Sequence, residues 1–378
     1  MKSFSLYIHI PFCERKCHYC DFTSFPMKGQ DIESYISYLK KELSIYKKRF
    51  SNYKLHTIFI GGGTPSAIHE RYIIDILDYI YKNYDVSDLK EITIELNPGT
   101  ITKAKCEAYK AIGINRVSVG VQSLNDKMLQ MLGRIHNCND IRNTLYLLRK
   151  AGFDNINVDL IFGLPGESLE DLDRTLNQII EYEIEHISYY SLIIEEGTLF
   201  NEWYKKGLIS LPNEDLERQM YHYIVDFLMR NDYIHYEISN FSKSGFECKH
   251  NLSYWKIKPY LGVGLNSHSN SFGKRFWNTS DLNAYYAFLS QDKLPIEGEE
   301  TIDKSMEMAE YSIMGLRLIK GISKEEFCNR FKQDIYKIYR EAIDKHIKNG
   351  LLKDDSKNLT LTKKGLDLAN LVEVDFMP

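Results

Sequence analysis

The strongest constraint on the fold is a rhythm of short apolar runs and longer helical segments. Six runs, residues 4–10, 57–60, 91–96, 116–121, 155–162 and 186–192, alternate with segments whose apolar residues recur at helical spacing. The first such segment, residues 31–49, puts Ile32, Tyr35, Ile36, Leu39, Leu43 and Tyr46 on one stripe. Helical patterns follow at 71–81, 103–112, 140–151 and 169–182. Strands separated by helices cannot pair as tight hairpins, so each return is a crossover, and the pattern predicts βα units around a parallel sheet. An open doubly wound sheet and a barrel both satisfy it. Both gather ligands at the carboxyl ends of the strands, where the polar motifs of this chain fall.

Past residue 193 the rhythm changes. Residues 216–229 read as a helix and 236–241 as a further strand, while 249–255 and 261–268 read as aromatic-rich loops and turns. From about residue 306 the chain turns helical again, with helices at 324–331 and 335–348, the second closed by Asn349-Gly350. A two-stranded wing within 351–361 and a last helix at 364–371 complete a small winged-helix-like α+β domain. The expected division is 1–192, 193–300 and 301–378. A length of 378 residues suits one barrel-sized domain plus a smaller one. Acidic and basic residues interleave in the last domain and the net charge is −4, so no basic footprint for nucleic acid exists. Residues 1–4 lead straight into a strand-like run, so no signal peptide is expected, and no apolar run approaches the ~20 residues a membrane span requires. A reducing, cytoplasmic location is expected.

Cys13, Cys17 and Cys20 stand in a C-x3-C-x2-C spacing directly after the first apolar run, whereas Cys106, Cys138, Cys248 and Cys328 are scattered and read as small hydrophobes. Three thiolates on one short loop can converge on a soft metal centre. A Cys3His zinc site using His18 is the competing reading. His18 adjoins Cys17, and neighbouring residues rarely both reach one tetrahedral metal, which favours a 4Fe–4S cluster with one iron lacking a protein ligand.

The run Leu6-Tyr7-Ile8-His9-Ile10-Pro11-Phe12-Cys13, continued through Cys20-Asp21-Phe22, resembles the radical S-adenosylmethionine (SAM) enzymes. Within them it resembles the oxygen-independent coproporphyrinogen III oxidase branch, and most of all the HemW-type heme chaperones. The resemblance implies a partial (β/α)6 TIM-like barrel. It also implies that Cys13, Cys17 and Cys20 hold the cluster and that Gly62, Gly63 and Thr64, in the Gly61-Gly62-Gly63-Thr64-Pro65 turn, hold the amino group of SAM. Glu95 and Asp159 are expected on its ribose hydroxyls or nearby, Arg134 on its carboxylate, and Gln122 and Tyr7 close to cofactor and cluster. His250-Asn251-Leu252-Ser253-Tyr254-Trp255 matches the H-N-x-x-Y-W pattern of the same chaperones, which implies heme as cargo, with His250, Tyr254 and Trp255 as its binding residues; His9, His18 and His268 are weaker candidates. Heme-accepting hemoproteins such as respiratory cytochromes are the implied partners, with a low-potential electron donor such as a flavodoxin or ferredoxin. Homodimer formation and transient membrane contact stay open. The oxidase carries a further cysteine where this chain has Phe22, and an N-terminal extension where only twelve residues precede Cys13. Both differences weigh against the alternative activity, radical oxidative decarboxylation of coproporphyrinogen.

Overall fold

In the computed structural model, which describes residues 2–378, the six apolar runs are parallel neighbours in one sheet. They are β1 (Lys2–Ile10), β2 (Tyr53–Gly62), β3 (Glu91–Leu96), β4 (Arg116–Gln122), β5 (Ile156–Phe162) and β6 (His186–Ser191). The crossovers are α1 (Ile32–Lys47), α2 (Glu70–Asn83), α3 (Lys103–Ala111), the pair α4 (Asp126–Met131) and α5 (Cys138–Lys150), and α6 (Leu169–Glu181). Local chemistry starts these helices. Asp31 and Thr102 cap the first backbone N–H groups of α1 and α3, and full capping boxes, Asn137 with Asp140 and Ser168 with Asp171, open α5 and α6.

The period-two alternation of each strand separates two environments. Leu6, Ile8, Ile58, Ile60, Ile94, Val117, Val119, Val158 and Ile187 join the main apolar core with the helix stripes. Their neighbours are polar: Ser5, Tyr7 and His9 on β1, Thr57 on β2, Glu91, Thr93 and Glu95 on β3, Arg116 and Ser118 on β4, Asn157 and Asp159 on β5, His186 and Ser188 on β6. Parallel strands covered on both sides usually read as continuous apolar runs, so this second face marks the barrel interior as something other than core. Burying those groups requires partners. Ser118 Oγ and Asn157 Nδ2 donate to Asp159 at 2.8 and 2.9 Å, His186 Nδ1 meets Asn157 Oδ1 at 2.6 Å, and Thr57 Oγ1 donates to Ser5 Oγ at 2.8 Å.

After β6 come α7 (Leu199–Lys205) and α8 (Glu214–Arg230), then a hairpin of β7 (Ile234–Glu237) and β8 (Asn240–Ser242), of which β8 pairs antiparallel with β6. A single strand over 236–241 was the expectation; a tight turn at Ile238-Ser239 divides it. The stretch expected as a loop, Lys249–Trp255, is the helix α9. Cys248 caps it with no side-chain hydrogen bond, and the Glu91 carboxylate accepts the backbone N–H groups of Lys249 at 2.9 Å and His250 at 3.0 Å instead. The next expected loop contains β9 (Tyr260–Val263), which adds to the free side of β1 in parallel, Tyr7 opposite Gly262. β10 (His268–Ser271), β11 (Lys274–Asn278) and β12 (Ile296–Thr301) continue that edge, with α10 (Leu282–Ser290) between the last two. The whole sheet runs β12-β11-β10-β9-β1-β2-β3-β4-β5-β6-β8-β7, twelve strands.

The C-terminal part contains α11 (Lys304–Leu316), α12 (Lys324–Phe331) and α13 (Ile335–Lys348) and has its own core, including Phe327, Phe331, Ile343, Leu359 and Phe376. Its wing has three strands rather than two: β13 (Ile322–Ser323) precedes α12 and pairs with β15 (Asn358–Leu361), which also pairs with β14 (Leu352–Asp354). The last helix is split into Lys363–Asp367 and Ala369–Val374. Arg317, just past α11, places its guanidinium 4.7 Å over the ring of Trp255 and so joins this part to the end of α9.

Glu42 on α1 anchors the segment that carries β9 and β10. Its carboxyl accepts from Gly264 N–H at 2.8 Å, Tyr285 O–H at 2.7 Å and Asn278 Nδ2 at 2.7 Å. Burial pushes this group up from 4.5 to about 7 against those three donors. The folded chain therefore holds a proton there that the unfolded chain has lost between those two values, and this contribution to stability falls as pH rises through the window. Glu42→Gln removes the titration. Urea unfolding at pH 5 and pH 8 is expected to show the stability difference, wild type minus variant, falling by up to about 3 kcal/mol over that rise.

Candidate cluster site and ligand cavities

The cysteine loop is closed at its base by a two-residue parallel pairing of Phe12–Cys13 with Phe25–Pro26. Its tip is held by the turn between α4 and α5. Arg15 Nη2 donates to Gly133 O at 2.6 Å, His18 N–H donates to Leu132 O at 3.0 Å, and His18 Nδ1 donates to Met131 O at 2.9 Å. Gly133 has φ +77°, and a Cβ there would lie 2.7 Å from the His18 ring, so only glycine admits this contact. His18 is thus turned onto Met131 and edge-on to Trp203 of α7, 5.1 Å between rings. The zinc arrangement would need that imidazole on the metal.

The three thiols are free and line one cavity of about 410 Å³ at the carboxyl ends of the barrel strands. Burial pushes the Cys13 thiol up, with the neighbouring Cys17 adding to the effect, and burial with Cys17 and Cys13 nearby takes Cys20 up to about 11. Thiols close enough to oppose one another's ionisation are a donor set that a soft cationic centre would relieve, so these residues fit a cluster. Donors already point at two sulfurs: Arg134 Nη1 to Cys17 Sγ at 3.3 Å and Thr64 Oγ1 to Cys13 Sγ at 3.5 Å.

The glycine turn after β2 fits against this loop. Gly63 N–H donates to Ile10 O at 2.9 Å and Thr64 N–H to Phe12 O at 2.8 Å. A Cβ on Gly63 would stand 2.7 Å from Phe12 O and 3.0 Å from Cys13 Sγ, and one on Gly62, at φ +112°, would stand 2.6 Å from the His9 ring. Both glycines are required for the packing, whatever ligand the turn holds. Gly62 N–H donates to Glu95 Oε2 at 3.1 Å.

Gly62, Gly63, Thr64, Glu95, Gln122, Arg134 and Asp159 all line the cysteine cavity. Burial, with the Asp159 charge second, pushes Glu95 up to about 8; Asp159 is also raised, chiefly by burial. Gln122 is brought in by a bulge between Gly120 and Gln122, where it takes φ +66°. The Arg134 guanidinium is occupied, donating also to Gly120 O at 2.8 Å and to Asn97 Oδ1. Sequence reasoning missed Asn97, whose Nδ2 donates to Thr64 Oγ1 at 2.9 Å and which joins that turn to Arg134. It also missed Ser118 and Tyr190 on the cavity wall. A usable signal existed for Asn97: a polar side chain directly after β3, two residues beyond Glu95.

Tyr7 does not face this cavity. It lines a second one of about 650 Å³, together with His9, Tyr254, Trp255, Tyr260, His268, Arg275 and Met314. Asp21, Phe22, Gly62 and Glu95 line both, so the two cavities share a wall. Tyr7 O–H meets His9 Nδ1 at 3.0 Å, and His9 Nε2 donates to Thr23 O at 2.9 Å. The H-N-x-x-Y-W residues divide. Tyr254 and Trp255 line the second cavity, but His250 is 1 % exposed, with Nδ1 2.8 Å from Thr57 Oγ1 and Nε2 2.8 Å from Tyr254 Oη. Burial takes it down to about 3, and it presents neither ring nitrogen to the cavity.

Among known proteins, residues 7–179 match the Radical SAM superfamily and residues 302–368 match the HemN C-terminal domain. The chain is 38% identical to heme chaperone HemW of Lactococcus lactis, over 99% of this chain and 97% of that one. It is 34% identical to heme chaperone HemW of Bacillus subtilis, over 97% of each. Its fold is that of the coproporphyrinogen III oxidase HemN of Escherichia coli, a radical SAM enzyme, with a TM-score of 0.87 at 22% identity, covering 99% of this chain and 90% of that chain. Among the described residues no helix is long and apolar enough to cross a membrane. At this level of identity over nearly its whole length, the chain belongs to the HemW family of heme chaperones within the radical SAM superfamily.

Proposed function

We propose that this chain carries heme in the second cavity and passes it to acceptor hemoproteins such as respiratory cytochromes, with a 4Fe–4S cluster on Cys13, Cys17 and Cys20 and SAM in the adjoining cavity. The observation that carries this reading is the shared wall: a cavity with three free thiols and two raised carboxyls abuts an aromatic cavity across Phe22, Gly62 and Glu95. A volume of about 650 Å³ lies within the usual range for cofactor-sized ligands, and flat rings with a few polar groups suit a macrocycle. A cluster held by three cysteines supplies one iron open to the amino and carboxylate groups of SAM.

The protein's own groups have defined tasks in this reading. Arg134 donates to the Cys17 sulfur and Thr64 to the Cys13 sulfur, contacts that hold these two ligands in place. Glu95 and Asp159 accept from the ribose hydroxyls or the amino group of SAM, and Phe22 stands between the two ligands. Phe22 stands where the oxidase branch has a further cysteine, which supports heme carriage over porphyrinogen decarboxylation.

Anaerobic reconstitution with iron and sulfide, followed by heme titration and transfer to an apo-cytochrome, tests the proposal. Stoichiometric heme uptake and transfer are expected, with no coproporphyrinogen turnover under reducing conditions; Cys17→Ala should lose the cluster absorbance. Robust turnover without heme uptake would overturn the reading. A proton count checks the SAM site independently. At pH 7 a carboxyl raised to about 8 is mostly protonated, and a cationic ligand beside it favours the carboxylate. SAM binding measured by calorimetry in buffers of different ionisation heat should release protons, and Glu95→Gln should lower that release by up to about one proton.

A further inference from the structure

A directed hydrogen-bond chain inside the barrel ends at a side chain on the wall of the second cavity. Its direction follows from donor counting, since each hydroxyl has one proton to give. Ser253 Oγ donates to Lys249 O, a carbonyl that can only accept, at 3.0 Å. Ser253 must then accept from Ser5 Oγ at 3.0 Å, and Ser5 from Thr57 Oγ1 at 2.8 Å. With the Thr57 proton committed, the 2.8 Å contact to His250 Nδ1 has the imidazole as donor. An imidazole buried with no carboxylate on its ring is neutral, so a proton on Nδ1 leaves Nε2 as acceptor, and Tyr254 O–H donates to it at 2.8 Å.

We infer that Tyr254, rather than His250, ligates ferric heme, and that His250 serves as the acceptor of the phenolic proton. The inference rests on the second cavity being the heme cavity. Tyr254 is part of that cavity's wall, edge-on at 4.6 Å to Tyr260, another wall residue, while His250 lies behind it. The two stand at positions i and i+4 of α9, on one helix face, which gives the H-N-x-x-Y-W spacing a physical reason. Tyrosinate is an established axial ligand of ferric heme. On binding, the phenolic O–H bond breaks, its electron pair forms the oxygen–iron bond, the water carried by ferric heme leaves, and the proton passes to His250 Nε2. No electron is transferred. Burial and the Arg116 guanidinium both oppose a charge on His250, and burial raises the Tyr254 phenol, so the transfer is driven by the iron–oxygen bond. The imidazolium so formed is paired with the phenolate oxygen, and Glu91, which accepts the His250 backbone N–H at 3.0 Å, offsets part of the Arg116 charge.

The test is anaerobic heme titration of the full-length, cluster-reconstituted protein, wild type against Tyr254→Phe, Tyr254→His and His250→Gln. Optical and resonance Raman spectra are recorded, and cluster absorbance and melting confirm each fold. Wild type should show phenolate-to-iron charge-transfer bands that Tyr254→Phe lacks, with ferric-heme affinity down about tenfold or more. Tyr254→His should convert the spectrum to an imidazole-ligated one. His250→Gln should keep the phenolate bands while binding more weakly. Reduction of the heme should weaken binding in wild type but not in Tyr254→Phe, because ferrous iron favours phenolate less. A spectrum unchanged in Tyr254→Phe, or an imidazole signature lost in His250→Gln, would overturn the ligand assignment and leave the heme cavity standing. Absence of stoichiometric heme uptake by wild type would remove the cavity reading, and the ligand with it.

Discussion

Glu91 lies at the start of β3, 2 % exposed, and its two oxygens take the first free N–H groups of α9. A helix of seven residues is too short to hold itself together in water, and inside a barrel its orphan donors have no solvent to turn to. The carboxylate supplies both the acceptors and the charge that the N-terminus of a helix favours. The Arg116 guanidinium, itself 2 % exposed, lies near enough to Glu91 to offset a charge that would be costly alone at that depth. With α9 pinned this way, His250 must meet Thr57, and Tyr254 and Trp255 must form one side of the second cavity. The aromatic wall therefore depends on a carboxylate that does not itself line that cavity.

The same economy of contacts links the two cavities. Gly62 gives its N–H to Glu95 and leaves the ring of His9 in the space a Cβ would take; His9 in turn joins Tyr7 to the Thr23 carbonyl. From the cysteine loop to the aromatic cavity the path is thus one glycine and one imidazole long. Packing this close has discrete arrangements rather than a continuum, so a ligand that draws Glu95 away from Gly62 perturbs His9 and Tyr7 as well. The polar inner face of the barrel makes this contact possible, since an aliphatic residue in place of His9 would fill the space and carry no hydrogen bond across it.

How much of this was legible in the sequence varies with the range of the deciding interaction. The six parallel strands and their crossovers follow from periodicity and caps within a dozen residues, and the cysteine loop follows from its own spacing. α9 read as a loop because its cap comes from Glu91, far away in the chain, and no local residue announces it. β9 read as a loop because four residues become a strand only through register with β1. The single strand expected over 236–241 hid a reversal that no glycine or proline marks. Among the residues that line the first cavity, spacing singled out the thiols and strand-end positions singled out Glu95 and Asp159. Tyr7 and His250 were assigned to ligands from resemblance, and their surroundings depend on which way β1 and α9 face, information that only the assembled barrel contains.

Phe22 is the point at which the proposed function separates this chain from the oxidase branch that it resembles. The backbone is shared with the oxidase HemN across nearly the whole chain at low identity, so under the proposed function the difference in cargo is set by side chains on the cavity walls. Phe22 is 61% exposed on the wall that both cavities share. An exposed aromatic ring there is unpaired with any neighbour among the described ring contacts, whereas Phe59 elsewhere in the barrel stacks on Tyr7 and tilts against His250. Leaving a large apolar ring in water has a cost that a flat apolar ligand laid against it would recover. A thiol at the same point would offer a sulfur donor toward the cluster side; a phenyl ring offers area and no donor. Under the proposed function, that ring adds apolar area to a shared wall otherwise made by Asp21, Gly62 and Glu95, and leaves ligation of the iron to another lining residue, Tyr254 of α9.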